Sequence, residues 1–310
     1  MSTATTTPVT APTVQWTQNG GSKYDNGMRP GVGLDNYGQI VEVHAGSGTT
    51  HLYSHTGTMS GTSVSLNGSQ QFDSGFVPTV ALAPTGTALE VHSAMNAVSQ
   101  LWASTGTLDG SSVSWNNSNA VGSNSGYFAS VAVNGTSGAV LVWENGGSLY
   151  SLPGNLDGTA VSWGSSSNFD QGYEPSVSIN DAGQIIEVHE AMPTGGALWY
   201  HLGQLTNGTI SWGAALQIPG GSGMSSPGVA INNNNQIIVC FNDGGDLKYV
   251  TGILENGDVS WSSVQQYDSG HYPQVALNDN GQVLEVHQAM TNASYLYYHA
   301  GQMSAPTQGS

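Results

Sequence analysis

The chain runs to 310 residues, only 7% of them charged, and its formal net charge is -17. Lys23, Arg29 and Lys248 are its only cations. This excludes nucleic acid, whose affinity for proteins comes largely from Lys and Arg on phosphates, and charge-driven attachment to anionic membranes.

The chain opens with MSTATTTPVTAPT, residues 1–13. It has neither a basic start nor an apolar core, so it is not a secretory signal; we expect a flexible arm. Val14-Gln15-Trp16 follows as an isolated strand-like triplet. No apolar run approaches the length of a membrane span. A protein made soluble in the cytoplasm is expected, without membrane insertion; later non-classical release is compatible with this. Cys240 is the single cysteine, which rules out an internal disulfide. Its place in a strand suits a small core residue.

From Tyr24 onward the chain repeats itself, and such a repeat decides architecture before any single motif does. Six copies begin near Tyr24, Phe72, Val121, Phe169, Ile218 and Tyr267. A proline marks the register at Pro30, Pro78, Pro175, Pro227 and Pro273, with Ala129 in the third copy. A Val-Ser-Trp element recurs at Trp115, Trp163, Trp212 and Trp261, with Leu66 in the first copy.

Each copy reads as four short strands, A to D. In the last two copies these are PQVALN, QVLEVH, YLYYHAG and DVSW. Val, Ile, Tyr and Trp between closely spaced turn signals are the all-β signature. Asn278-Asp279-Asn280-Gly281 between A and B, and Asn256-Gly257 between C and D, are tight-turn sequences. Four strands in roughly 40–50 residues, repeated, are what a propeller blade requires. The expectation is an all-β, six-bladed β-propeller of four antiparallel strands per blade over residues 14–303, with a tail at 304–310. The sixth copy lacks strand D; Val14-Gln15-Trp16 would supply it and remove an open sheet edge. An open β-solenoid is the alternative.

One set of residues recurs in only four copies. Strand B ends in Glu-x-His at Glu42/His44, Glu90/His92, Glu187/His189 and Glu285/His287. The linker into strand A carries aromatic-Asp in the same four, at Asp25, Asp73, Asp170 and Asp268. Copies three and five lack both, reading Val142/Glu144 and Val239/Phe241 in strand B, with Val121-Gly122 and Ile218-Pro219 in the linker. Residues two apart share one side of a strand. The start of strand C would bring Tyr53, Trp102, Trp199 and Tyr297 to the same end. Asp, Glu, His and an aromatic ring would therefore converge near one rim, between neighbouring blades.

That set suits a sugar, whose hydroxyls donate and accept while its C–H face packs on a ring. It equally suits a buried hydrogen-bonded network pinning the linker; a metal site is a third use. Other features read as structural. The strand-D tryptophans fill the inter-blade core, and His55, His201 and His299 on strand C are packing histidines. The Asn/Asp-rich A–B turns are hairpin turns rather than calcium loops. No cofactor motif and no metal site is read.

The pattern YDxGxxPxVALNDxGxxxEVHxx…LWYHxG resembles that of bacterial β-propeller lectins and lectin-like repeat proteins, from about residue 14 to 301. The resemblance implies several sugar sites between blades, glycans or glycoconjugates as partners, and agglutination or host-glycan recognition. Weak single sites would gain strength from multivalency. An enzyme is not expected: a sialidase-type site needs several arginines, and Arg29 is alone. No copy carries an extra acidic insertion that would mark a two-carboxylate glycosidase. A protein-interaction scaffold or toxin component remains the other reading, because fold alone does not choose function.

Overall fold

The computed structural model describes the chain except for residues 1–8, 18–20, 96–98, 193–195, 221, 293 and 309–310. The described residues form antiparallel strands and no helix, so no helix is long and apolar enough to cross a membrane.

Repeat four shows the unit. Strand A is Tyr173–Ile179, B is Gln184–Glu190, C is Leu198–Thr206 and D is Thr209–Trp212, paired in that order. The A–B turn is held by Asn180, whose Oδ1 accepts from the Gln184 amide at 3.0 Å. At the C–D turn Asn207 and Gly208 both have positive φ, 51° and 72°. Two such residues make the hairpin turn whose twist matches the strands.

Each unit also gains a segment that the sequence reading treats as a linker. In repeat three, Ser167–Gln171 pairs with the first half of strand C, Ser148–Asp157, while strand D covers the second half. This segment then turns into strand A of the next repeat. Between repeats five and six the turn is absent, and one continuous strand, Gln265–Leu277, joins the two units into a single sheet.

The innermost strands contact one another in sequence: Met28–Leu34, Phe76–Leu82, Tyr127–Val133, Tyr173–Ile179, Met224–Ile231 and Gln265–Leu277, which touches Met28–Leu34 again. Val14–Trp16 pairs antiparallel with Tyr295–Met303, the C strand of repeat six. Val9–Thr10 pairs with Thr307–Gln308. Of the expected arm and tail, Val9–Thr10 and Thr307–Gln308 are strand-paired; residues 1–8 of the arm and 309–310 of the tail lie outside the described residues.

The core lies between neighbouring units. Trp212 packs with Val140, Val177 and Ile185 from repeats three and four. It stacks on Phe169 at 4.8 Å, and its Nε1 donates to Ser151 Oγ of repeat three at 3.0 Å. Trp115 repeats this on Phe72 and Ser54. The aromatic residue of aromatic-Asp is therefore a core contact. Gly203 of strand C lies under Trp212: a Cβ there would meet the ring at 2.7 Å. Cys240 is buried and free, as expected of a small core residue.

Every strand A starts with a bulge whose residue is left-handed: Arg29, Val77, Phe128, Glu174, Ser226 and Tyr272, all with φ between 48° and 54°. Bulges re-aim side chains, and these six line the cavity where the inner strands meet. The Arg29 guanidinium lies 3.8 Å from the Tyr272 ring, 4.8 Å from that of Phe128 and 3.6 Å from Glu174 Oε1. The one arginine is thus already engaged inside this cavity.

Candidate functional site

Strand alternation puts Glu187 and His189 on one face of strand B. Across the ladder, Glu187 opposes His201 and His189 opposes Trp199 on strand C. The same square recurs as Glu42–His55 with His44–Tyr53, and as Glu285–His299 with His287–Tyr297. In repeat two it is Glu90–Ser104 with His92–Trp102. Cross-strand neighbours of this kind touch. Tyr53 stacks on His44 at 5.6 Å and Tyr297 on His287 at 5.8 Å.

The aspartate arrives from the segment paired to the preceding unit. Asp170 Oδ2 lies 2.7 Å from His201 Nε2 and 3.8 Å from His189 Nε2. Asp268 repeats this at 2.7 Å from His299 and 3.8 Å from His287, and Asp25 at 2.8 Å from His55 and 3.7 Å from His44. In repeat two, Asp73 lies 4.0 Å from His92 and no second histidine is there. Each site therefore straddles the junction of two units.

The polar groups are layered by depth. Glu42, Glu90, Glu187 and Glu285 are 0% exposed, and the four strand-B histidines at most 2%. The aspartates retain 21–32% of their side-chain surface. Tyr53, Trp102, Trp199 and Tyr297 are half-buried. The glutamates face the imidazoles rather than solvent: Nδ1 of His44, His92, His189 and His287 donates to Glu42, Glu90, Glu187 and Glu285 at 3.0–3.1 Å. The Tyr24 hydroxyl also donates to Glu42 at 2.8 Å.

A glycine makes room for each strand-B histidine. A Cβ on Gly172 would come within 2.5 Å of His189 Cδ2, and on Gly75 within 2.4 Å of His92 Cδ2. The recurring Asp-x-Gly is thus one device: the Asp reaches the imidazole and the Gly lets the ring lie against the backbone.

These groups shift one another. Burial opposes the charge on Asp268, but the His299 hydrogen bond, the Ser269 amide and the charges of His299 and His287 outweigh it and lower its carboxyl to about 2. Asp25 and Asp170 are lowered in the same way. Burial pushes His44, His92, His189 and His287 down, yet the charge and hydrogen bond of the neighbouring Glu, with the Asp charge, raise each overall.

Two points differ from the sequence reading. First, His55, His201 and His299 are not plain packing residues; each closes on the aspartate. The signal was the His of the strand-C Y-H or S-H pair, present in copies one, four and six. Second, the pairing of repeat three places Leu141, not Val142, where Glu187 stands, since Val131 opposes Leu141 as Val177 opposes Glu187. Trp143 then occupies the place of His189, opposite Tyr150. Repeat five has Val239 and Phe241 there, as expected.

No protein-family model matches the chain, and no curated protein matches it. Solved structures do match over nearly its whole length. A protein of unknown function from Dyadobacter fermentans shares 12% identity at TM-score 0.62, over 97% of this chain and 100% of that one. Aleuria aurantia lectin, described as a six-bladed β-propeller with a novel fucose recognition mode, shares 12% at TM-score 0.61, over 93% and 97%. The NanB sialidase of Streptococcus pneumoniae shares 9% at TM-score 0.64, over 93% of this chain and 70% of that one. At such identities the likeness is one of fold: an all-β chain of antiparallel sheets, of the propeller kind.

Proposed function

We propose that the chain is a six-bladed propeller closed by Val14–Trp16, and that it binds carbohydrate at the blade junctions of repeats one, two, four and six. The observation that carries this reading is the fourfold recurrence, about one strand-B histidine, of a partly exposed aspartate and a half-buried ring. Asp25 with Tyr53, Asp73 with Trp102, Asp170 with Trp199 and Asp268 with Tyr297 would meet sugar. Glu42, Glu90, Glu187 and Glu285, with His44, His92, His189 and His287, would hold those groups from behind. Aleuria aurantia lectin, bound to α-methyl-L-fucoside in one of the matching structures, supports the reading by fold.

Binding is favoured over catalysis. The match to a sialidase propeller brings no cluster of arginines, and Arg29 is engaged with Glu174 and two rings. The test is isothermal titration of the wild type and of Trp199→Ala with a sugar found by array screening. The expected result is loss of one site's share of the stoichiometry with little change in melting temperature. Unchanged stoichiometry would remove Trp199 from the site.

A protein-binding scaffold is the second reading, and one observation favours it. Met28, Phe76, Tyr127 and Tyr173, at the starts of strand A, are 36–48% exposed, and Met95, Met192 and Met290 in the B–C loops are 39–53% exposed. They gather at one end of the sheets, and exposed apolar groups there suit a protein partner.

A further inference from the structure

We propose that repeats one, four and six each bind a divalent transition-metal ion, at Asp25/His44/His55, Asp170/His189/His201 and Asp268/His287/His299. The inference goes beyond the glycan reading and stands without it.

The first argument is convergence. In each group one carboxylate oxygen and two imidazole nitrogens lie within 4.8 Å of one another. The oxygen is Asp Oδ2 and both nitrogens are Nε2. Their Oδ2 separations, 2.7–2.8 Å to one histidine and 3.7–3.8 Å to the other, bracket the spacing of ligands on a tetrahedral zinc. Zinc–ligand bonds of about 2.0–2.1 Å imply about 3.3 Å between ligand atoms.

The second argument is where the protons are. His201 Nδ1 lies 2.9 Å from the Gly213 carbonyl oxygen, and His55 Nδ1 lies 2.7 Å from that of Asn67. A carbonyl only accepts, so Nδ1 carries a proton in these two rings, while His299 Nδ1 is buried without such a partner. Nε2 is thereby turned to the Asp Oδ2, to which it donates at 2.7–2.8 Å, and a bound ion would take the place of that proton. The strand-B histidines are set alike, because Nδ1 donates to the buried glutamate. Both Nε2 atoms and the carboxylate oxygen then face one point, where a divalent cation would replace the proton shared between His and Asp. A carboxylate or a backbone carbonyl behind the ligating imidazole is the usual outer support of a metal site, and it fixes the tautomer.

The third argument is that the fold does not need the polar set. Repeat three fills the Glu, His and second His places with Leu141, Trp143 and Leu152, and repeat five with Val239, Phe241 and Val250. All six are buried and apolar. Buried charged networks commonly add no stability over packed apolar residues, so packing does not account for three matching copies.

Imidazole ligands select zinc-like ions rather than calcium or magnesium, which take oxygen ligands. Three protein ligands leave a coordination position open, and the partly exposed aspartate marks the side from which it is reached. Repeat two is the internal control: Ser104 replaces the second histidine, its Oγ is buried without a partner, and Asp73 stands off at 4.0 Å. It supplies two ligands and is predicted not to hold the ion.

The test strips the full chain with a chelator, dialyses it against dilute Zn2+ and counts retained metal by elemental analysis. Three zinc ions per chain are expected. Asp170→Asn and His201→Ser should each retain two, and Asp73→Asn should retain three. Co2+ in place of Zn2+ should give the visible absorption of a four-coordinate nitrogen–oxygen site, reduced by about a third in Asp170→Asn. Asp170→Asn preserves shape, which separates ligand loss from unfolding; circular dichroism checks this. No retained zinc, or the same count in the Asp170 and Asp73 variants, would overturn the proposal. In that case His55, His201 and His299 are hydrogen-bond partners of the aspartates and nothing more. Glycan binding that persists in the stripped protein would leave the sugar reading intact whatever the metal count.

Discussion

His201 Nε2 lies 2.7 Å from Asp170 Oδ2, although the two residues belong to different sheets. Asp170 sits on the segment paired to repeat three, and His201 on strand C of repeat four. The contact therefore fastens one unit to the next at the place where the candidate site lies. In metal-free protein, Asp170→Asn should lower the urea midpoint by the equivalent of about 1–2 kcal/mol, the range for a hydrogen bond to a charged group on a partly exposed residue. Asp73→Asn, with no second histidine, should cost less. Equal losses would mean that the second histidine adds nothing to the junction.

The layered network can be tested by transplant. Glu187→Ala leaves His189 buried without its carboxylate and should cost about 3–5 kcal/mol. Copying repeat three into repeat four, with Asp170→Gly, Glu187→Leu, His189→Trp and His201→Leu together, should cost less than that single change. Denaturant unfolding of both variants measures it. A transplant less stable than Glu187→Ala would show that repeat three depends on features outside the square.

The glycine of Asp-x-Gly makes a sharp prediction. Gly172→Ala places a Cβ about 2.5 Å from His189 Cδ2 and 2.9 Å from the Glu190 carbonyl oxygen, and neither can retreat. Overpacking of this kind costs about 1–3 kcal/mol. Gly68→Ala meets nothing within 4 Å and should be neutral or slightly stabilising. Thermal unfolding of the two variants makes the comparison, and a neutral Gly172→Ala would refute the close fit.

His92 gives the pH dependence, since repeat two lies outside the proposed metal sites. Burial lowers its pKa, but the Glu90 charge and hydrogen bond and the Asp73 charge raise it overall. A raised folded value means stability that is fully present below the unfolded value of about 6.5 and is lost as pH rises through the folded value. In chelator, wild type should therefore lose melting temperature between pH 6 and 8 more steeply than His92→Gln. Parallel slopes would place the His92 proton elsewhere.

Much of this was legible in the sequence, and the failures have physical causes. The strand repeat was plain because the turn residues and the tryptophan recur at nearly fixed spacing. Glu-x-His was found because period two puts both on one face. The depth of Glu187 is not legible, because alternation shows which face a residue takes but not what covers it; here His189 bonds it and His201 lies opposite, and both are closed over by Asp170 from a segment that a linear reading calls a linker. The slip in repeat three came from Val140-Leu141-Val142, an unbroken apolar run in which alternation gives no register, and a shift of one residue exchanges the two faces. The sequence makes His201 a packing residue because its partner, Asp170, lies 31 residues away in a different sheet.

The most direct test of the central claim is a glycan array probed with the labelled 310-residue chain, with and without chelator. The account predicts binding to a coherent set of glycans, weakened by Trp199→Ala. A blank array in both conditions would contradict it and leave the exposed apolar end of the sheets, with Phe76, Tyr127 and Met290, as the surface to pursue.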